Sequence, residues 1–160
     1  DRRTPRKTPQ FHLKRRGAEN DILRVLVVDE AAIVPRVIEN YLQQLNLPAE
    51  VSKSNDPDTA WDSLKTGAFD IVFLDAVSEK VRGVELLARL RENESGSGQE
   101  AHVVMMTGKG KEAVEASMRE GCDDMVVKPF AIETFEAKMD RFTAKKREKD
   151  LKTLKSGDVW

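Results

Sequence analysis

Four apolar runs in this chain each end in side chains that could take part in chemistry. The polar residues at these ends are Asp29 with Glu30, Asp75, Thr107 and Lys128. If the ends of the runs meet, three carboxylates come together, and they repel one another unless a cation neutralises them. Carboxylate oxygens that leave room for water are the ligands that suit Mg²⁺. The pattern therefore predicts a pocket for a divalent cation, with a hydroxyl and an ammonium beside it.

The elements that must position these side chains alternate between strands and helices. The runs at 25–28, 71–74 and 103–106 are almost continuously apolar and often β-branched, which is typical of strands covered on both faces of a parallel sheet. A shorter run, 125–127, is similar, whereas the run at 50–53 is more polar and suits an edge strand. Five strand–helix units within about 120 residues predict an α/β fold with a doubly wound parallel sheet.

The helices between the runs carry recognisable stripes and ends. Val34, Ile38 and Leu42 recur at helical spacing. Asp56-Pro57 is typical of a helix start, and Gly67 and Gly121 of helix ends. The last stripe consists of Ile132, Phe135, Met139 and Phe142, and the helix is expected to run on towards Leu154.

Composition excludes several classes of protein. Lys and Arg total 27 and Asp and Glu 28, so a uniformly basic nucleic-acid binder is excluded. The single cysteine, Cys122, excludes an internal disulfide framework and a multi-cysteine zinc site. It fits a reducing compartment, and no apolar run approaches the roughly 20 residues of a membrane span, so we expect a cytoplasmic location.

Charge divides the chain into three parts. Residues 1–20 carry a formal charge of +5 and residues 138–160 a charge of +4, whereas residues 21–137 carry −10. We therefore expect a basic N-terminal arm or linker at 1–21, a globular domain at 22–143 and a basic helical extension or linker at 144–160. No DNA-binding motif is recognisable in 143–160, and the partner of the basic arms stays open.

The polar run ends and their spacing closely resemble the receiver domain of two-component response regulators. The matching features are the acidic pair after the first run, Asp75 with Gly83 eight residues on, Thr107, and Lys128 followed by Pro129-Phe130. The resemblance covers about residues 22–143. It implies a flavodoxin-like doubly wound five-stranded parallel sheet in the order 2-1-3-4-5 with helices on both faces, a strand order that right-handed crossovers also favour.

The resemblance also implies a role for each site residue. Asp75 would be the phosphoacceptor, and Asp29, Glu30 and the backbone carbonyl of Val77 would join it in binding Mg²⁺. Thr107 would contact the incoming phosphoryl group, and Lys128, on a cis bond to Pro129, would pair with the phosphorylated Asp75. The domain would catalyse its own phosphorylation and dephosphorylation without being a classical enzyme. A histidine kinase or a phosphotransfer protein would be its phosphoryl donor.

Four residues depart from the family pattern. Glu79 stands where the family usually has proline, and Val77 is apolar where some relatives place a polar group. Met125 occupies the switch position that is usually aromatic, so no hydroxyl-dependent coupling to Thr107 is expected. Pro35 falls near the first turns of the first helix, where it removes a hydrogen bond unless the helix starts late.

Two functional classes stay open on the sequence. The first is a phosphorylatable switch whose output surface is formed by helix 4, strand 5 and helix 5, with a homodimer through that surface as one possibility. The second is a receiver-like interaction module that signals without phosphorylation. A flavin carrier is disfavoured, because the loop after the first strand is acidic. Asp123-Asp124 and Lys138 resemble part of a charged dimer face, but a solvated surface is the preferred interpretation.

Overall fold

A computed structural model describes residues 22–66, 69–76, 81–92, 101–108 and 111–155. Within these residues five strands alternate with five helices. The strands are β1 Leu23–Val28, β2 Ala49–Ser54, β3 Ile71–Asp75, β4 His102–Thr107 and β5 Asp124–Val127. The helices are α1 Ile33–Gln44, α2 Pro57–Thr66, α3 Gly83–Glu92, α4 Lys111–Arg119 and α5 Ile132–Lys155.

The strands form one parallel sheet in the order β2-β1-β3-β4-β5. The predicted fold class and strand order are therefore confirmed. Every residue of β3 and β4 is buried, whereas β2 is mostly half-buried or exposed and lies at one edge. Because the strands are parallel, the residues that follow β1, β3, β4 and β5 come together at the carboxyl edge of the sheet.

Each face of the sheet carries its own apolar core. On one face α1 and α5 contribute Ile38, Leu42, Phe135 and Met139, which pack with alternate side chains of the strands. On the other face α2 and α3 contribute residues such as Leu64 and Leu87. Successive side chains of a strand point to opposite faces, so continuously apolar strands feed both cores.

The ends of the helices follow the sequence signals. The amide of Thr59 donates to Asp56 Oδ1 at 2.8 Å, which caps α2 ahead of Pro57. Gly121 follows α4 with a φ of +85°, the left-handed conformation that glycine adopts without strain. Pro35 is the third residue of α1, where the backbone amide has no partner within the helix, so α1 loses no hydrogen bond to it. The predicted cap at Gly67 lies outside the described residues.

The helix α5 extends well beyond the residues that it buries in the core. It runs without interruption to Lys155, although its last buried apolar residue is Phe142. The continuation towards Leu154 is thus confirmed. The arm at 1–21 and residues 156–160 lie outside the described residues. Among the helices that are described, none is long and apolar enough to cross a membrane.

Of the two acids at the start of β5, Asp124 is buried and Asp123 is half-buried, and both are held by contacts to other elements. Asp124 is only 8% exposed and pairs with the Lys138 ammonium at 3.1 Å. Asp123 Oδ2 accepts hydrogen bonds from Arg91 of α3 at 2.9 Å and from the amide of Val103 at 2.8 Å. The interpretation as a solvated surface is therefore wrong. These carboxylates tie α3, β4 and α5 to β5.

Candidate functional site

Asp29 enters the site directly from β1. Its amide donates to the carbonyl of Ser54 at 3.0 Å, which continues the sheet for one more residue. Its Oδ1 accepts the amide of Ala31 at 2.9 Å and so orders the loop before α1. The second carboxylate oxygen, Oδ2, accepts a hydrogen bond from the Lys128 ammonium, and the Asp29 side chain is only 1% exposed.

Asp75 is the last residue of β3 and is fixed by its backbone. The next amide, that of Ala76, donates to the carbonyl of Met106 at 2.8 Å and keeps this end of β3 against β4. Gly83, the first residue of α3, lies so close that a Cβ there would clash with the carbonyl oxygen of Asp75. Glycine at this position therefore lets α3 begin directly against the backbone carbonyl of Asp75.

The Lys128 ammonium joins the two acids. Its Nζ lies 2.9 Å from Asp29 Oδ2 and 3.2 Å from Asp75 Oδ1. The lysine side chain is 24% exposed, whereas that of Asp75 is 4% exposed, so the pair of carboxylates is buried under a partly accessible cation. The amide of Lys128 donates to the carbonyl of Thr107 at 2.7 Å and ties the end of β5 to β4.

Burial and charge shift the pKa values of these groups in ways that matter for chemistry. Burial, and next the charge of Asp29, raise the pKa of Asp75, although Lys128 acts in the opposite direction. Burial alone would lower the pKa of Lys128. The hydrogen bond to Asp29 and the charges of Asp29 and Asp75 outweigh it, so that the pKa is raised. Near neutral pH the site thus contains the charged ammonium of Lys128 beside Asp75, a carboxyl group whose ionised form is disfavoured by burial.

The other predicted site residues are placed as follows. Thr107 closes β4 and is buried, one strand away from Asp75. Glu30 is exposed, although its charge contributes to raising the pKa of Asp75. Met125 is half-buried and packs against the core on the α2 and α3 side of the sheet. The Lys128-Pro129 bond is cis, as the resemblance implies. Val77, like Glu79, lies outside the described residues.

The donor atoms fit a small hard cation. Within the described residues no three acidic, histidine or cysteine side chains are grouped closely enough to enclose a metal ion. Mg²⁺ does not need such a cage, because it keeps several waters and binds through one or two carboxylates. Asp29 and Asp75 supply two carboxylates side by side, and Glu30 follows Asp29 at the exposed side.

One contact of the site was not predicted from the sequence. The hydroxyl of Tyr41, on α1, donates to the carbonyl of Phe130 at 2.8 Å, and the two rings meet edge to face. Phe130 follows Lys128-Pro129, so Tyr41 anchors the segment that carries the ammonium. Periodicity places residue 41 beside an apolar stripe, but no sequence signal shows which loop its hydroxyl reaches.

The chain matches the family model for the response regulator receiver domain over residues 25–140. The chain belongs to the response regulator receiver domain family.

Individual relatives support the same assignment. The chain is 28% identical over 122 residues to chemotaxis protein CheY-3 of Vibrio cholerae. The aligned region covers 76% of this chain and 92% of the relative. It is 30% identical over 109 residues to transcriptional regulatory protein ResD of Bacillus subtilis, covering 68% of this chain but 42% of that relative. The solved structure of the BeF3-activated DrrB receiver domain matches with 26% identity and a TM-score of 0.63, covering 76% of this chain and 97% of that one.

Proposed function

We propose that this domain accepts a phosphoryl group on Asp75 from a histidine kinase or a phosphotransfer protein. The observation that carries the proposal is the Lys128 ammonium held between two buried carboxylates, at 2.9 Å from Asp29 and 3.2 Å from Asp75. A carboxylate is a poor nucleophile towards a polyanion unless the charge of the phosphoryl oxygens is neutralised. Lys128 supplies a permanent cation at the correct place.

The reaction is a simple exchange of bonds. An oxygen of Asp75 attacks phosphorus, the bond from phosphorus to the donor nitrogen breaks, and an acyl phosphate forms on Asp75. Thr107 lies at the end of the neighbouring strand and is our candidate for contacting a phosphoryl oxygen. Asp29, Glu30, Asp75 and the carbonyl of Val77 are the proposed ligands of Mg²⁺, which when bound would offset the negative charge of the phosphoryl group.

Phosphorylation by a small donor tests the proposal. Incubation with acetyl phosphate and Mg²⁺ should add one phosphoryl group, stable in acid and labile in base, visible by intact-mass spectrometry. Asp75→Asn should abolish the adduct, whereas Asp140→Asn, an exposed acid on α5, should not. No adduct on the wild type, under conditions that label another receiver domain, would favour the interaction module that signals without phosphorylation.

Cation binding is tested separately. Mg²⁺ should bind with modest affinity, and Asp29→Asn should weaken binding markedly because a buried charged ligand is lost. Isothermal titration with MgCl₂ measures this, again with Asp140→Asn as the control. Equal affinity in the wild type and in Asp29→Asn would show that the metal site is assigned wrongly.

We further propose that the signal leaves through the surface formed by α4, β5 and α5. Met118 on α4 and Val127 on β5 are 67% and 61% exposed, so this surface presents apolar side chains to a partner or to a second copy. With Met125 at the switch position, the change would be a graded repacking rather than a rotamer lock. A cytoplasmic location is part of the same proposal.

Hydrogen exchange locates the output surface. In the presence of beryllofluoride and Mg²⁺, amides within 108–142 should change in protection, and sedimentation should show whether a dimer forms. Changes confined to the loops after β1 and β3 would refute this surface.

A further inference from the structure

A groove lies at the edge of the sheet between the second half of α1 and the start of β2. Its cavity volume is about 570 Å³. Five of its lining residues are apolar and three are polar. They are Leu42, Leu47, Pro48, Ala49 and Val51, with Glu39, Gln43 and Asn46. The floor is formed by buried Leu42 and Leu47, so the groove is a shallow apolar surface with a polar rim.

This groove is separate from the acidic site. Ser54, at the far end of β2, pairs with the amide of Asp29, whereas Ala49 and Val51 lie at the opposite end of the same strand. A strand rises about 3.3 Å per residue, which puts Ala49 roughly 16 Å from Ser54. A phosphoryl donor must approach the carboxyl edge, so it does not explain the groove.

The N-terminal arm reaches the described part of the chain beside this groove. The amide of Leu23, the first residue of β1, donates to the carbonyl of Pro48 at 2.9 Å, and Leu23 pairs with Ala49 in the sheet. The residue before it, Ile22, is exposed. Residues 1–21 therefore depart from a point next to two of the lining residues.

The composition of the arm matches the groove. Its large apolar side chains are Phe11 and Leu13, and Lys14, Arg15 and Arg16 follow directly. Eight residues lie between Leu13 and Ile22. An extended chain from Leu13 to Ile22 spans up to about 30 Å, so both apolar residues can return to the groove. Glu39 on its rim offers a carboxylate to the cationic stretch.

We propose that the N-terminal arm docks on this groove of its own domain, with Phe11 and Leu13 on the apolar floor and Lys14–Arg16 towards Glu39. The docking joins the arm to α1 and β2, at the end of the domain opposite to Asp75. The arm is then an intramolecular ligand rather than a free linker.

Paramagnetic relaxation in the full chain tests the docking. A nitroxide is attached at Gln10→Cys in a Cys122→Ser background, since Cys122 is the only cysteine. Backbone amides of 43–51 should lose more than half of their intensity, while those of α3 should not. Phe11→Ser with Leu13→Ser should restore the lost intensity. Uniform weak broadening, or broadening that survives this double substitution, would overturn the proposal.

Three further samples test the role of Glu39 and the intramolecular nature of the contact. Glu39→Lys should weaken the broadening, whereas Glu136→Lys, at a half-buried glutamate in the second turn of α5, should leave it unchanged. Equal effects of the two substitutions would overturn the role of Glu39. Mixing a spin-labelled chain with an isotope-labelled chain without the nitroxide should give no broadening. Broadening in the mixture would assign the groove to the arm of a second copy and refute the intramolecular contact.

Discussion

Replacing Lys128 by Met should destabilise the domain strongly in the absence of divalent cations. The substitution keeps an unbranched side chain of nearly the same length and removes the charge that lies 2.9 Å from Asp29 and 3.2 Å from Asp75. Removing one partner of a buried ion pair costs about 3–5 kcal/mol, because the remaining charge is buried without compensation. Since the Lys128 side chain is 24% exposed and water can approach, we expect the lower end, about 3 kcal/mol.

The matched control is an ion pair of the same chemistry on the surface. Lys65 lies 3.0 Å from Asp62, and the two side chains are 44% and 69% exposed. Exposed pairs of this kind contribute less than about 1 kcal/mol, so Lys65→Met should be close to neutral. The comparison separates the loss of a buried charge from the loss of any lysine side chain.

Urea and thermal unfolding followed by circular dichroism, in buffer with EDTA, measure the effect. A loss of about 3 kcal/mol corresponds to a fall in Tm of roughly 10 °C for a chain of this size. Lowering the pH should shrink the loss, because the carboxylates left behind by Lys128→Met become protonated. Mg²⁺ should recover part of the stability. If Lys128→Met costs no more than Lys65→Met near neutral pH, the ammonium does not compensate the two buried acids.

Three further substitutions test separate contacts. Gly83→Ala should cost about 1–3 kcal/mol in urea unfolding, because its Cβ meets a backbone carbonyl, while Gly108→Ala, where a Cβ has open space, should be tolerated. Tyr41→Phe should cost about 1 kcal/mol and should speed hydrogen exchange around Phe130, since its carbonyl loses a donor. Asp75→Asn should raise stability at about pH 7. Burial raises the pKa of Asp75 in the folded state, so the ionised carboxylate destabilises the fold at a pH above that pKa. The stability gained by Asp75→Asn should therefore fade as the pH falls through this pKa. A gain that persists in acid would contradict this explanation.

The strand ends were predictable because they depend on local patterns. A parallel strand buried on both faces must be apolar throughout, so its first polar residue marks the carboxyl edge of the sheet. That rule is sufficient to find Asp29, Asp75, Thr107 and Lys128 without knowledge of any contact. Helix starts and ends at Asp56 and Gly121 follow from equally local chemistry.

Contacts between distant elements were not predictable in the same way. The sequence shows that Asp123-Asp124 is acidic, but it does not show that Arg91 and Lys138 come from two different helices to meet it. A solvated surface is the default expectation for adjacent acids, and only tertiary packing overrides it. The hydrogen bond of Tyr41 to the segment after Lys128 is another contact of this kind.

The structure shows that a side chain of the protein itself neutralises part of the negative charge of the site. On the sequence, a bound cation is needed to hold the carboxylates together, whereas in the structure the Lys128 ammonium already contacts both Asp29 and Asp75. A phosphoryl group on Asp75 adds negative charge next to this ammonium, and one Nζ has only three donors to share. Lys128 is therefore expected to weaken its bond to Asp29 as it turns to the phosphoryl oxygens. Because the amide of Lys128 donates to the carbonyl of Thr107, we expect this movement to shift the end of β4 and β5 as well. The proposed output surface lies at that edge of the sheet.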